Sequence, residues 1–402
     1  ARFRAKGTES HSVGGSVIFG TGAEFVSGSS TLTLTTSGSG RTFDVNANAL
    51  HNLTVSGSGS YTMSDATLTA LGTYAQSAGA VTFPTGTTTI GATFNATGGS
   101  FTNNGSPFVF TGTGAQTVRF NNSTVASLAF TGAGTFTMSD TNATSTGSVT
   151  ITAGSVTLPS GNFAVGGNFE KRAGTVTHNT SEIIMTSATT AVLTASSSDL
   201  YAVRFTGAGA FTITDENITF LDSFTVANGS VQMASGTTAI GGSLTATGGT
   251  FTHATGTVLL NASGAGRTVN PGVNTFHNLQ IGAPAGGYTL YSATTTNNFT
   301  IASANILTVD PTATVYVGGV FTNSVGGAGT TWTGSTLILD SQTAYSINGR
   351  TNSGDVYGAL VIGADTDIRA WYSSAASISV DASSSLYSQD NANVNGALEL
   401  RK

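Results

Sequence analysis

Three aspartates, Asp65, Asp140 and Asp215, recur at intervals of 75 residues. Each closes a ten-residue phrase: SGSGSYTMSD (56–65), TGAGTFTMSD (131–140) and TGAGAFTITD (206–215). Carboxylates at fixed spacing are the raw material of calcium sites and of paired acid–base chemistry. Shared coordination, however, needs each ligand within about 2.6 Å of the ion. In stacked β-coils these three would lie some four coils apart, roughly 19 Å along the axis. The expected role is therefore an Asx-type corner that accepts hydrogen bonds from local backbone amides. Asp215, Glu216 and Asp222 are the densest acid group in the middle of the chain, yet cationic partners are scarce there. Asp355, Asp365, Asp367, Asp381 and Asp390 make the C-terminal region more acidic, as a solvated edge would be. The five histidines follow the repeat: His51 and His277 share HNLTV and HNLQI, and His178 and His253 share another slot. Repeat-equivalent histidines lie far apart, so no zinc site is expected from them. No catalytic residue, cofactor or metal site is assigned.

Aromatic residues also keep the beat. Tyr61, Phe136, Phe211 and Tyr288 form one row, and Phe101, Phe251 and Trp332 belong to another. Each row could stack on sugars, but the flanking Thr residues place the rings on the opposite, inward face. Burying such a ring contributes about 1.5–3 kcal/mol, so interior ladders are expected. The Thr-rich outer face raises an ice-binding reading, which a regular outward array at every coil would be needed to support. Sequons at Asn52, Asn95, Asn142, Asn217, Asn228, Asn261 and Asn298 permit N-glycosylation and arise readily in a chain rich in Asn, Ser and Thr.

What must position these residues is a module. Leu53, Leu128, Val203, Leu279 and Leu360 lie at intervals of 75, 75, 76 and 81 residues. Three further rows share that beat: Phe94, Phe169, Leu244 and Phe321; Phe101, Val176, Phe251 and Trp332; Leu34, Phe110, Met185, Leu260 and Leu339. Modules run at about 50–125, 126–200, 201–276 and 277–356, with partial modules at 1–49 and 357–402. Inside a module, apolar residues alternate with Thr or Ser over three to five residues, as in Tyr61-Thr62-Met63 and Val81-Thr82-Phe83. Period two means short strands with one buried face. Gly-rich corners such as Gly98-Gly99 and Gly248-Gly249 separate them. No stretch carries the 3.6-residue period, so almost no helix is expected. The reading is an all-β fold: a β-solenoid, a right-handed parallel β-helix of 75-residue modules with about four coils each, running as one continuous domain over 1–402. About twenty-one coils would make a rod of roughly 100 Å. The alternative is a tandem of small β-sandwich domains.

Composition narrows the class. Charged residues are 8% of 402, against roughly 25% in ordinary soluble domains. The net charge of −6 and the mere three lysines, Lys6, Lys171 and Lys402, argue against nucleic acid as a partner. There is no cysteine, hence no disulfide framework. No run of 18 apolar residues offers a membrane-spanning helix. The chain opens at Ala1 with no signal peptide, as a mature form or an excised segment would.

Segments such as Pro107-Phe108-Val109-Phe110-Thr111-Gly112-Thr113-Gly114-Ala115-Gln116-Thr117-Val118, followed by Leu128 and Gly134-Thr135-Phe136-Thr137-Met138, resemble the repeats of large secreted bacterial surface proteins. These are adhesin-like or filament-like β-helices, broadly similar to autotransporter passengers and filamentous haemagglutinins. The resemblance is one of repeat style over nearly the whole chain. It implies an extracellular β-helix and transfers no functional residue.

The ends remain. A solenoid exposes unpaired backbone at both of them. Charges gather there: Arg2, Arg4, Lys6 and Glu9 at one end, Glu399, Arg401 and Lys402 at the other. Arg2-Phe3-Arg4 alternates like a strand able to extend a neighbour's sheet. The candidate assembly residues are therefore Arg2, Phe3, Arg4, Lys6, Glu399, Arg401 and Lys402. The expected function is a non-catalytic, extracellular structural protein, the subunit of a surface fibre or layer joined head-to-tail into a homopolymer. The alternative is an adhesin or a stalk that binds surface polysaccharide.

Overall fold

Alternation of Thr or Ser with apolar residues gives every short run one face that must leave water and one that need not. A computed structural model satisfies this by winding the chain into the parallel-stranded turns of a solenoid. It describes residues 1–5, 7–253, 255–325, 327, 329–346, 356–371, 374–388, 394 and 397–400. Strands and corners are the only structure among them; there is no helix. The solenoid has about 18 turns, fewer than the twenty-one expected, because each turn takes 20 residues or slightly more. Among the described residues the strand pairings are parallel, unlike the antiparallel sheets of a sandwich. Among the described residues no helix is long and apolar enough to cross a membrane.

Two units divide the chain, Ala1–Leu200 and Tyr201–Lys402. In the first unit each turn contributes one strand to each of three faces. The first face is a nine-stranded sheet from Ser10–Val13 to Thr175–Thr177. The second begins with a five-stranded sheet that contains Ser60–Met63, Ala80–Thr82 and Ser100–Thr102. The third carries Leu68–Ala70, Thr88–Ile90, Pro107–Phe110 and Ser127–Phe130. Register is kept to the residue: Thr135, Ser155 and Thr175 stack, as do Phe136, Val156 and Val176. The inward residues are the expected ladders. Tyr61, Phe136, Phe211, Tyr288, Phe101, Phe251 and Trp332 are all buried.

The second unit repeats this plan with one irregularity. Asn278–Leu290 and Phe299–Val309, 13 and 11 residues long, round a corner without breaking and pair side by side. Asn278–Leu290 thereby lies on two faces, against Thr257–Leu260 and then against Arg267–Asn270. A seven-stranded sheet runs from Thr275–Phe276 to Leu398–Leu400.

The module and the turn do not share a period. Eleven strands separate the repeated phrase at Ser60–Met63 from its copy at Thr135–Met138. At three strands per turn that is three and two-thirds turns, not four. The phrase therefore moves from the second face to the first. The second unit behaves alike: Phe211 lies on the face of Ala210–Ile213 and Ser230–Gln232, whereas Tyr288 lies on that of Arg267–Asn270. Repeat-equivalent residues thus occupy different faces rather than one line along the solenoid.

Close stacking dictates the corners. Gly79 and Gly99 adopt φ of +71° and +72°, in the left-handed region that only glycine enters cheaply. A Cβ on Gly99 would sit 2.3 Å from the Gly79 carbonyl oxygen.

Candidate functional site

The recurrent aspartates are corner residues, but their hydrogen bonds are not local. Asp65 reaches back a full turn: Oδ2 accepts from the Val45 amide at 2.6 Å and Oδ1 from the Ala47 amide at 2.8 Å. Asp140, itself buried, accepts from the Phe120 amide in the same way. The corners they cap share an unusual conformation. Asn46 and Ala47, and again Asn121 and Asn122, lie at positive φ, with values from 49° to 60°. Two successive left-handed residues make a tight corner, and in both cases the carboxylate of the next turn accepts from its backbone amides. Ser196 and Ser197, at φ 43° and 67°, adopt the same corner 75 residues after Asn121 and Asn122.

Asparagines do similar work from the other side of a corner, a role not read from the sequence. Asn52 Oδ1 accepts from the Thr73 amide, Asn142 Oδ1 from Asn162, Asn217 Oδ1 from Thr237 and Asn298 Oδ1 from Val320, all at 2.7–2.9 Å. Gly72, Gly161 and Gly236 lie opposite the first three, where a Cβ would fall 2.4–2.6 Å from the amide oxygen. The signal was present as Asn followed about 20 residues later by Gly, a spacing meaningful only once the turn length is known.

The acid group of the middle region is not a paired-carboxylate site. Asp222 forms an ion pair with Arg267 at 3.0 Å. Asp381 accepts from the amide and hydroxyl of Ser383, as a solvated corner does. Asp355 and Asp390 lie outside the described residues. Among the described residues no three His, Asp or Glu side chains are grouped to hold a metal. Repeat-equivalent histidines stay apart, but two non-equivalent ones meet: His253 and His277 lie on neighbouring turns with ring centroids 6.3 Å apart. The aromatic rows, being interior, offer no platform for sugars.

Two strands, Arg2–Arg4 and Leu398–Leu400, carry exposed apolar side chains. At the first turn, Arg2, Phe3 and Arg4 pair in parallel with Glu24, Phe25 and Val26. Arg2 forms an ion pair with Glu24 at 3.1 Å, both side chains 55% exposed, so the pair contributes little. Phe3 stacks on Phe25 with centroids 5.6 Å apart and is 52% exposed. Beside it opens a hollow of about 230 Å³ lined by Phe3, His11, Val13, Val17, Phe19, Phe25 and Leu32. At the last described turn, Leu398 and Leu400 stack on the buried Ile378 and Val380 but are 60% and 74% exposed. Glu399 lies between them, opposite Ser379. Lys6, Arg401 and Lys402 lie outside the described residues.

Compared with known proteins, the chain matches no family model, no curated protein and no solved structure.

Proposed function

We propose that this chain is a non-catalytic structural protein of an extracellular surface, of secreted bacterial β-helical type, whose solenoid ends join copies head-to-tail. The parallel solenoid itself carries this reading, its ladders stacking turn on turn. Phe3, Leu398 and Leu400 follow the register of buried residues and are themselves exposed. Exposed apolar side chains that already point along a ladder favour cover by another turn of the same kind. A contact between unlike ends is heterologous and propagates when it does not close. The resemblance in repeat style supports the extracellular setting.

The test is electron microscopy of the purified chain over a dilution series, with Leu398→Asp/Leu400→Asp and a deletion of residues 1–9 alongside. Concentration-dependent fibres, lost in both variants while the β signal in circular dichroism persists, are the expected result. Fibres that survive both variants would sink the end-docking reading. Isolated particles at every concentration would favour the adhesin or polysaccharide-binding stalk instead.

A further inference from the structure

We propose that Asn228 is a self-modifying corner, where the Gly229 backbone nitrogen displaces the side-chain amide through a cyclic imide and leaves aspartate or isoaspartate. Asparagine is a chemically labile residue. It is most open to this attack before glycine, which carries no Cβ to shield its own amide nitrogen. The sequence holds four Asn-Gly pairs, at 104–105, 228–229, 348–349 and 395–396. The last two lie outside the described residues. Asn104 and Asn228 are both exposed, both at corners, and both begin the tripeptide Asn-Gly-Ser. Access to water and local sequence therefore do not distinguish them. Their hydrogen bonds do.

At the second pair, the Gly229 N–H donates to Asn228 Oδ1 at 2.8 Å. The side chain is curled over the nitrogen that would attack it, and Cγ, bonded to that oxygen, is held alongside. Reacting groups held in this way need little further motion. Inter-turn bonds flank this amide without using it. Asn228 N donates to the Phe205 carbonyl at 3.2 Å, and Ser230 N to the Gly209 carbonyl at 3.1 Å. Ring closure at Gly229 breaks neither of them. At the first pair, the Gly105 N–H instead donates to a different side chain, Asn103 Oδ1, at 3.1 Å. Asn104 Nδ2 donates to the Phe83 carbonyl of the preceding turn at 3.3 Å. Closure at Asn104 would break both bonds, so the fold protects this pair and leaves Asn228 poised.

The reaction needs only base and water. The Gly229 nitrogen gives its proton to hydroxide and forms a bond to Asn228 Cγ. The Cγ–Nδ2 bond breaks, and the side-chain nitrogen leaves as ammonia. Water then opens the imide. Cleavage at Cγ restores the ordinary backbone as aspartate, and cleavage at the Asn228 backbone carbonyl leaves the chain running through Cγ as isoaspartate. The second product lengthens the main chain at a corner with no room for it. A Cβ on Gly229 would fall 2.5 Å from the Gly207 and Gly209 oxygens of the preceding turn. One on Gly249, in the following turn, would fall 2.9 Å from the Asn228 carbonyl carbon. Isoaspartate would therefore loosen this corner, and either product adds a negative charge to a chain already at −6.

Incubation of the folded full-length chain at mildly alkaline pH in heavy-oxygen water, followed by peptide mass spectrometry, tests this. Each opening of the imide writes heavy oxygen into the new carboxyl or carbonyl group. Label should accumulate at Asn228 several-fold faster than at Asn104. The two rates should converge when the chain is unfolded in urea, where only the shared tripeptide remains. Equal rates in the folded chain would overturn the proposal, as would an Asn228 that keeps its amide, or a preference for Asn228 that persists unchanged in urea.

Discussion

The two units fill the same kind of interior in different ways. In the first, a run of rings touches along the turns: Tyr74 stacks on Phe94 at 4.7 Å, and Phe94 also meets Phe108 at 5.2 Å and Phe120 at 5.3 Å. Within that run of rings, Tyr74 donates to Gln76 Oε1 at 2.9 Å, and Gln76 passes its own amide hydrogens to the Gly79 and Ser100 carbonyls. In the second unit the interior turns polar around Trp332, where Asn323 Nδ2 meets the Tyr357 hydroxyl at 3.1 Å. There the polar groups are not all matched. Trp332 Nε1 and the Tyr345 hydroxyl are buried without a hydrogen-bond partner, and the backbone of Phe321 lies beside Tyr345 but out of bonding geometry. A parallel ladder imposes which way a side chain points; it does not guarantee that a polar one finds company. Polar interiors are stable only when every member is satisfied.

That contrast can be broken by substitution. Phe94→Ala should destabilise the first unit most, by about 3–5 kcal/mol in chemical denaturation, because the cavity opens against five rings. A cost under about 1 kcal/mol would show that the ring array is loosely packed. Gly99→Ala should cost about 3 kcal/mol through left-handed strain and its clash with the Gly79 carbonyl. Gly105→Ala, at φ +82° with open space around it, should cost about 1 kcal/mol. Equal costs would mean the corners do not stack as described. Tyr74→Phe should cost about 1–3 kcal/mol, since it strands the Gln76 oxygen. Tyr345→Phe should be neutral or slightly stabilising, by up to about 1 kcal/mol, because it removes a hydroxyl with no partner. If both tyrosine variants cost the same, the difference between the interiors disappears. Asn217→Ala, the mildest of the losses, should cost about 1 kcal/mol and expose the Thr237 amide to faster exchange.

Much of the fold was legible because period-two alternation is a direct image of the ladder. Phe136 with Thr135 and Thr137 states which face is buried, and the structure agrees. The number of strands per turn was not legible. Gly corners mark where strands stop but not how many stops complete a circuit, so 75 residues read as four coils. That one missing integer hid the rest. It placed Asp65 and Asp140 beside local amides rather than under the preceding corner. It also kept His253 and His277 apart, because 24 residues meant nothing until a turn was known to take about that many.

The mismatch between module and turn works as a vernier. In the first unit, eleven strands on a three-sided frame leave a remainder of two, so adding or deleting that module would keep its ladders yet re-aim the later turns of the unit by one side. A gene that lengthens this protein by whole modules would not lay one stripe along one side. It would hand the same patch to each side in rotation.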